Sequence, residues 1–490
     1  MNNKAMLNVY PDSIGGNLKG TVAFLQNTAV EGAFHNLYIL PSIYNSDLDR
    51  GFSVISYDLN ENLATKEDLQ NLHVGLKLDF VLNHASVQSP QFQDILAHGN
   101  HSHYKDFFIN WNTFWADYGH MTDKGYIQPD PQYLEGMYLR KEGLPILMVE
   151  MPDGTEVPYW NTFYQQKISR RKYLGQMDLN IHSPLVWDFY ENTLEKLASY
   201  GGSIIRLDAF AYAAKQPGAR NFLNEPETWN ILKRIRLMAD KYNLQLLPEI
   251  HAEYREKVHE KICKEGYTTY DFFLPGLLIH AIEKRNGEYL IKWIHDIQQK
   301  ELKTVNMLGC HDGIPLLDLR GLLPDDEIDE TIAIIVSRGG YVKNVQSKKK
   351  MYYQVNATYF SALGENENKM LLARALQLFM PGKPQVWYLD LFGGKNDMEA
   401  VRLAGEGGHK EINRTNLSNE QVNRALKTNL TLKQLELLRF RNTHPAFEEG
   451  AVLTVTGEGS QISLVWNHGK HMARLDADLY THIYTITKTS

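Results

Sequence analysis

Four segments of the chain pass from apolar residues into side chains able to do acid–base or nucleophilic chemistry. They are Asp79-Phe-Val-Leu-Asn83-His84, Arg206-Leu-Asp208, Glu249-Ile-His251 and His311-Asp312. Residues two apart on a strand point the same way, so Arg206 shares a face with Asp208, and Glu249 with His251. If these are strand ends of one parallel barrel, they converge on a single pocket. That pocket would hold three carboxylates (Asp208, Glu249, Asp312), three histidines (His84, His251, His311) and Arg206. A lone carboxylate at a strand end usually caps a helix or makes half an ion pair. Several buried polar groups on successive strands are costly unless they are paired or used, and their conjunction favours catalysis. Metal ligation is the competing use of such a set. The wide separation of Asp208, Glu249 and Asp312 gives no ligand pair of zinc-finger spacing, so no metal is expected.

The elements that must position these groups are legible as short apolar runs alternating with helical patterns, the mark of a parallel sheet buried on both faces. Strands are predicted near Met6–Tyr10, Asn36–Leu40, Leu76–Leu82, Ser203–Leu207, Leu244–Glu249, Tyr270–Leu274, Thr304–Leu308 and Gln385–Leu389. Ile231, Leu232, Ile235, Met238 and Ala239 recur at helical spacing between the fourth and fifth strands. Ser183-Pro184 reads as an N-cap followed by an N1 proline, and Gly201-Gly202 as the exit of that helix. The expected fold is α/β: a (β/α)₈ TIM barrel with two inserted subdomains and a small C-terminal β domain.

The expected division gives barrel to residues 1–86, an inserted subdomain to 87–176, barrel again to 177–314, a second insertion with acceptor-site loops to 315–365, and the last part of the barrel to 366–440. Residues 441–490 form an antiparallel β domain, where Ile462, Leu464 and Trp466 alternate with polar residues. Loops as long as the two insertions are uncommon in compact domains and usually functional. The acidic run Asp325, Asp326, Glu327, Asp329, Glu330 and the basic run Lys348–Lys350 each read as solvated faces.

A net charge of −7 over 490 residues argues against nucleic-acid binding, since no basic excess exists to displace counterions. The first residues lack the apolar run of a secretory signal, and no stretch reaches membrane-spanning length. The two cysteines, Cys263 and Cys310, form no disulfide framework, and Cys310 reads as a small buried hydrophobe. A cytoplasmic enzyme, monomer or homodimer, without cofactor, membrane or nucleic-acid partner, is the expectation.

The segments DFVLNHAS, IIRLDAFAY, LLPEIHAEY and CHDGI resemble the four sequence regions of the α-amylase superfamily, glycoside hydrolase family 13. Together with DRGF, YQVNATYFSALG, GGKNDMEAV and EINR, they resemble most closely its sucrose phosphorylase branch, and the likeness runs nearly the whole chain in order. The resemblance implies a retaining enzyme that moves an α-glucosyl group from sucrose to phosphate, giving α-D-glucose 1-phosphate and D-fructose. It implies Asp208 as nucleophile, Glu249 as general acid/base and Asp312 as transition-state stabiliser. In that chemistry Arg206 depresses the nucleophile's pKa, and Glu249 needs a less polar site or nearby carboxylates to hold its proton. His84 and His311 would bind hydroxyls of the same sugar, Asp49 and Arg414 its far side, Phe52 and Phe163 its faces, and Gln176 a nearby polar group; His251 accompanies them.

Phosphate as second substrate requires cations at the emptied acceptor site. The resemblance assigns this to the loop carrying Arg140 and Lys141, with Tyr353 and Gln354 on another acceptor loop. The sequence departs from the branch at Met351, where an aspartate is common, at Thr415, where histidine often follows EINR, and in the insert bearing Lys167, Arg170, Arg171 and Lys172. The first and last bear on the leaving group: fructose, fructose 6-phosphate, glycerol or glycerate. The further alternatives are a hydrolase or transglucosidase of the same family, and an inactive sugar-binding barrel. The intact carboxylate set argues against the last.

Overall fold

The computed structural model describes residues 2–140, 143–345, 351–405 and 407–489. Lys141, the run Lys348–Lys350 and the side chains of Met351 and Tyr353 lie outside the described residues. Eight strands build the main sheet: β1 Met6–Val9, β2 Asn36–Ile39, β3 Gly75–Val81, β4 Gly202–Asp208, β5 Gln245–Pro248, β6 Thr269–Asp271, β7 Thr304–Met307 and β8 Lys383–Trp387. Their order is β5-β4-β3-β2-β1-β8-β7-β6, so sequence neighbours are spatial neighbours and the last strand returns to the first. The β1–β8 pairing is parallel, as are β1–β2, β4–β5, β6–β7 and β7–β8. This is the expected (β/α)₈ barrel.

Two strands differ from the sequence-based expectation by two residues or more at an end, the others by one. The sixth stops at Asp271 instead of running to residue 274, because the Asp271 carboxylate accepts from the Phe273 and Leu274 amides at the start of the helix Leu274–Lys284. The eighth begins at Lys383, two residues early, and ends at Trp387. Its lysine is buried and donates to Asn36 Oδ1 at 2.7 Å and to Asn2 Oδ1 and the Lys4 carbonyl at 2.8 Å. A charged residue so bonded passes for a loop in the sequence.

By contacts the chain forms two compact units. One comprises residues 40–69 and 77–250. It contains the helix α1 (Pro184–Ser199), entered through Ser183 and Pro184, which buries Val186, Trp187, Tyr190, Leu194 and Leu197. Helix α2 (Glu227–Asp240) buries Ile231, Leu232, Ile235 and Ala239, as the periodicity predicts, and leaves Met238 half-buried. The chain before α1 includes antiparallel strands Ile146–Glu150 with Glu156–Trp160, and Gln165–Ser169 with Lys172–Asp178. Its small core is aromatic, with Trp111 between Trp115 and Trp160 at ring separations of 5.6 and 4.8 Å.

The other unit comprises residues 1–39, 70–76 and 251–490. The acidic run opens the helix Asp325–Ser337, where carboxylates in the first turn oppose the helix dipole favourably. A hairpin pairs Tyr341–Val345 with Met351–Asn356. The chain ends in a four-stranded antiparallel sheet, Val452–Glu458, Gln461–His468, His471–Asp478 and Ile483–Thr489, which buries Ile462, Leu464 and Trp466. The Trp466 indole donates to the Phe379 carbonyl at 2.8 Å. Cys310 is buried and Cys263 half-buried, both as free thiols.

Candidate active site

The first group of candidate side chains is organised by Arg206, near the end of β4 and almost wholly buried. Its Nη1 lies 2.5 Å from Asp79 Oδ1 and 2.9 Å from Asp208 Oδ1, and its Nη2 2.9 Å from Glu249 Oε1. One guanidinium therefore holds three carboxylates, contributed by β3, β4 and the residue after β5. The sequence pairs Arg206 with Asp208 by alternation, but gives no sign that the same cation reaches Asp79 and Glu249. Glu249 thus sits in a strongly charged setting, with two other carboxylates as neighbours of its cation.

The chain just beyond the nucleophile candidate is strained: Ala209 takes φ 52°, left-handed for a residue with a Cβ. A second strained turn carries Asp49 at φ 46° and Arg50 at φ 50°, followed by Gly51 at φ 114°. A Cβ on Gly51 would lie 2.1 Å from the Ser42 amide nitrogen, so only glycine fits. This turn presents Phe52, whose ring centroid lies 5.4 Å from the Arg206 guanidinium carbon.

His84, Phe52, Gln176 and Phe163 meet in the same unit. His84 Nε2 is 2.9 Å from the Phe52 carbonyl, and Gln176 Nε2 donates to that carbonyl at 3.2 Å. The Phe163 ring centroid is 4.8 Å from that of His84. Burial lowers the His84 pKa to about 4, against the opposing pull of Asp178 and the Phe52 carbonyl, so the imidazole is neutral at physiological pH. Arg140 lies over the Phe163 ring at 4.8 Å, and its Nη1 donates to the Tyr212 hydroxyl at 3.1 Å.

Asn83 meets a cation of the chain itself. Lys215 Nζ donates to Asn83 Oδ1 at 2.8 Å, Asp178 Oδ2 at 2.7 Å and the Tyr212 carbonyl at 2.6 Å. Burial lowers the lysine's pKa while Asp178 opposes the shift. Asp178 also accepts from Asn83 at 3.0 Å and from the Thr162 hydroxyl at 2.6 Å. Among the described residues no cluster of three or more His, Cys, Asp or Glu is arranged to hold a metal ion.

The second group belongs to the other unit, on the chain leaving β7. Gly309 donates to Asp390 Oδ2 at 2.9 Å, Asn413 Nδ2 to the Cys310 carbonyl at 2.7 Å, and Arg414 Nε to the His311 carbonyl at 3.0 Å. Asn356 holds the Asp312 carbonyl at 2.6 Å. The Asp312 carboxylate faces Lys410 Nζ at 2.7 Å, His311 Nε2 at 3.2 Å and Arg414 Nη2 at 3.8 Å. Burial alone would raise its pKa, but His311, Lys410 and Arg414 hold it well below the ordinary carboxylate range. Lys410 is absent from the sequence-based site, although it stands four residues before Arg414 in the segment HKEINR.

His251 departs from the expected geometry. The strand ends at Pro248, so alternation does not govern Glu249 and His251. The His251 ring stacks on Phe272 at 3.8 Å, and its Nδ1 is 3.3 Å from Asp318 Oδ1. Gln354 is half-buried on the strand Met351–Asn356, in register with Pro315. The basic insert is already engaged: Arg170 pairs with Glu150 at 2.8 Å, Lys167 with Glu156 at 3.8 Å, and Arg171 donates to the Leu96 carbonyl.

Comparison with known proteins adds to this geometry. No family model matches the chain. The sucrose 6(F)-phosphate phosphorylase of Ilumatobacter coccineus is 53% identical over 99% of this chain and 95% of its own length. The sucrose phosphorylase of Streptococcus mutans is 33% identical over 99% and 98%, respectively. The crystal structure of sucrose 6F-phosphate phosphorylase from Thermoanaerobacter thermosaccharolyticum superposes with a TM-score of 0.91 at 32% identity, covering 100% of this chain and 96% of that one. An α-amylase from H. orenii shares the fold at TM-score 0.67 and 16% identity, covering 98% of this chain and 90% of its own. The chain is a (β/α)₈ enzyme of the glycosyl-transferring kind. It belongs to the sucrose phosphorylase branch of the α-amylase superfamily, glycoside hydrolase family 13.

Proposed function

We propose that the enzyme transfers an α-glucosyl group to inorganic phosphate by double displacement, with Asp208, Glu249 and Asp312 as its catalytic residues. In the first step an Asp208 oxygen bonds to the anomeric carbon as the glycosidic bond breaks, and Glu249 gives its proton to the leaving oxygen. In the second, a phosphate oxygen attacks the same carbon from the face the leaving group vacated. Its proton passes to Glu249, and Asp208 departs, so α-D-glucose 1-phosphate is released with configuration retained. The reading is supported by the Arg206 contacts. Three carboxylates around one cation leave two negative charges in excess, a condition that favours one carboxylic acid keeping its proton. We assign that proton to Glu249; Asp208 and Glu249 both contact Arg206 at 2.9 Å. Asp312, held ionised, accepts from sugar hydroxyls as positive charge develops at the anomeric carbon. Neutral His84 adds no charge to the site, its Nε2 lying 2.9 Å from the Phe52 carbonyl.

For the donor we propose sucrose 6F-phosphate. The observation that carries this is the 53% identity to an enzyme of that name over almost the whole chain, against 33% to the sucrose phosphorylase of S. mutans. Arg140 is the cation we assign to phosphate recognition, because Arg170 and Lys167 face Glu150 and Glu156 and Lys410 faces Asp312. Sucrose is the second reading, favoured by the 33% identity to the sucrose phosphorylase of S. mutans over 99% of the chain. The test is kcat/KM for phosphorolysis of the two donors side by side. A preference for sucrose would reverse the order, and free glucose formed at equal rates with and without phosphate would replace phosphorolysis by hydrolysis.

A further inference from the structure

Arg140 occupies a segment without helix or strand, residues 137–140, and such a segment needs some other hold on its position. That hold is the side chain of Asn221. Its Oδ1 accepts from the Tyr138 amide at 2.6 Å and its Nδ2 donates to the Tyr138 carbonyl at 3.0 Å. One carboxamide thus satisfies both backbone groups of a residue two positions before Arg140, as a neighbouring strand would. Asn221 itself is buried while Tyr138 and Arg140 are exposed.

Asn221 in turn stands on the chain that follows Asp208. Lys215 ties to the Tyr212 carbonyl at 2.6 Å, and the Leu223 amide to the Ala211 carbonyl at 2.8 Å. Phe222 packs on Tyr212 at 4.8 Å and on Tyr138 at 6.1 Å. Tyr212 receives the Arg140 guanidinium through its hydroxyl. A single connected segment, residues 212–223, therefore supplies Arg140 with a hydroxyl acceptor, an aromatic support and a backbone clamp.

We propose that Asn221 is a positioning residue for phosphate: it fixes the Tyr138–Arg140 backbone so that the guanidinium is already aimed when phosphate enters. Preorganisation of this kind lowers the entropy lost on binding and acts on the anion without touching it. The inference rests on the reading of Arg140 as a phosphate ligand.

The experiment uses the full chain with α-glucosyl fluoride as donor, which needs no specific leaving group, and inorganic phosphate or water as acceptor. Asn221→Ala, Arg140→Ala and the double variant are compared. Asn221→Ala is expected to raise KM for phosphate roughly tenfold, the worth of one or two hydrogen bonds, while hydrolysis of the fluoride without phosphate stays within about twofold. The double variant is expected to be no worse than Arg140→Ala, since a clamp has nothing left to position. Asn221→Ser, which keeps an acceptor of smaller reach, is expected to fall between and serves if the alanine variant folds poorly. If Arg140→Ala raises KM for phosphate and neither Asn221 variant does, the inference is overturned while the phosphate reading stands. If Arg140→Ala leaves that KM unchanged, the phosphate reading fails and takes the inference with it. Equal losses of hydrolysis and phosphorolysis in both Asn221 variants would reduce Asn221 to a structural residue.

Discussion

Lys410 holds its ammonium 2.7 Å from Oδ1 of Asp312. A charge-assisted contact is among the stronger single interactions available to a protein. Lys410→Gln keeps the length and a hydrogen-bond donor but removes the charge. The expected outcome is a fall in kcat/KM of roughly tenfold, because Asp312 loses a group that keeps it ionised and oriented. Steady-state kinetics check this, and an unchanged kcat/KM would remove Lys410 from the machinery.

Asp208→Asn retains a group able to accept from Arg206 Nη1, so the fold should survive. Turnover should fall by roughly three orders of magnitude or more, as expected when a nucleophile is lost. In the native enzyme, NMR of the first-formed product should show α-glucose 1-phosphate. The β anomer appearing first would rule out double displacement through Asp208.

Glu249→Gln separates the two halves of the reaction. Natural donors leave only when protonated, so their cleavage should nearly cease. α-Glucosyl fluoride loses fluoride without that help and should still glucosylate Asp208 at a substantial rate. Stopped-flow measurement of fluoride release is the readout, and equal losses on both donors would take the acid/base role from Glu249.

His84 makes a prediction about stability against pH. Its folded pKa, about 4, lies below the 6.5 of an exposed histidine. Its contribution to stability is therefore complete above pH 6.5 and is lost as pH falls through about 4, because the unfolded chain takes up a proton that the folded chain refuses. The loss is on the order of 3 kcal/mol over that window. Urea unfolding at several pH values should show the slope, and His84→Asn, which cannot titrate, should flatten it.

The basic insert offers a control. Arg170→Ala/Arg171→Ala should change the ratio of kcat/KM for sucrose 6F-phosphate and sucrose by less than about twofold, because exposed pairs such as Arg170–Glu150 contribute little. A collapse of the phosphorylated donor's advantage would move recognition of the donor's phosphate from Arg140 to this insert.

The barrel was legible because most of its strands carry apolar runs buried on both faces, and because helix α2 keeps its period. The two misplaced strand ends are cases where a polar residue serves the backbone, as Asp271 caps a helix and Lys383 ties down the N-terminal segment. Within the candidate site, alternation relates Arg206 to Asp208 because both lie inside β4. It says nothing of Glu249, which lies past the end of β5, and it misleads for His251, which turns to Phe272 and Asp318. Lys410, Lys215 and Asn221 were illegible for a common reason. Each acts on a carboxylate or a backbone group far away in sequence, and no local pattern encodes the identity of such a partner.

The ammonium of Lys215 sits among three oxygens drawn from three separate stretches of chain. A free divalent ion in such a place would fill it in proportion to its concentration, and the stability it gave would rise and fall with supply. A cation carried on the polypeptide has no such dependence: its local concentration is set at synthesis and does not dilute. The corner that joins Asn83, beside His84, to Tyr212, beside Arg140, is thereby insulated from the ionic composition around the protein.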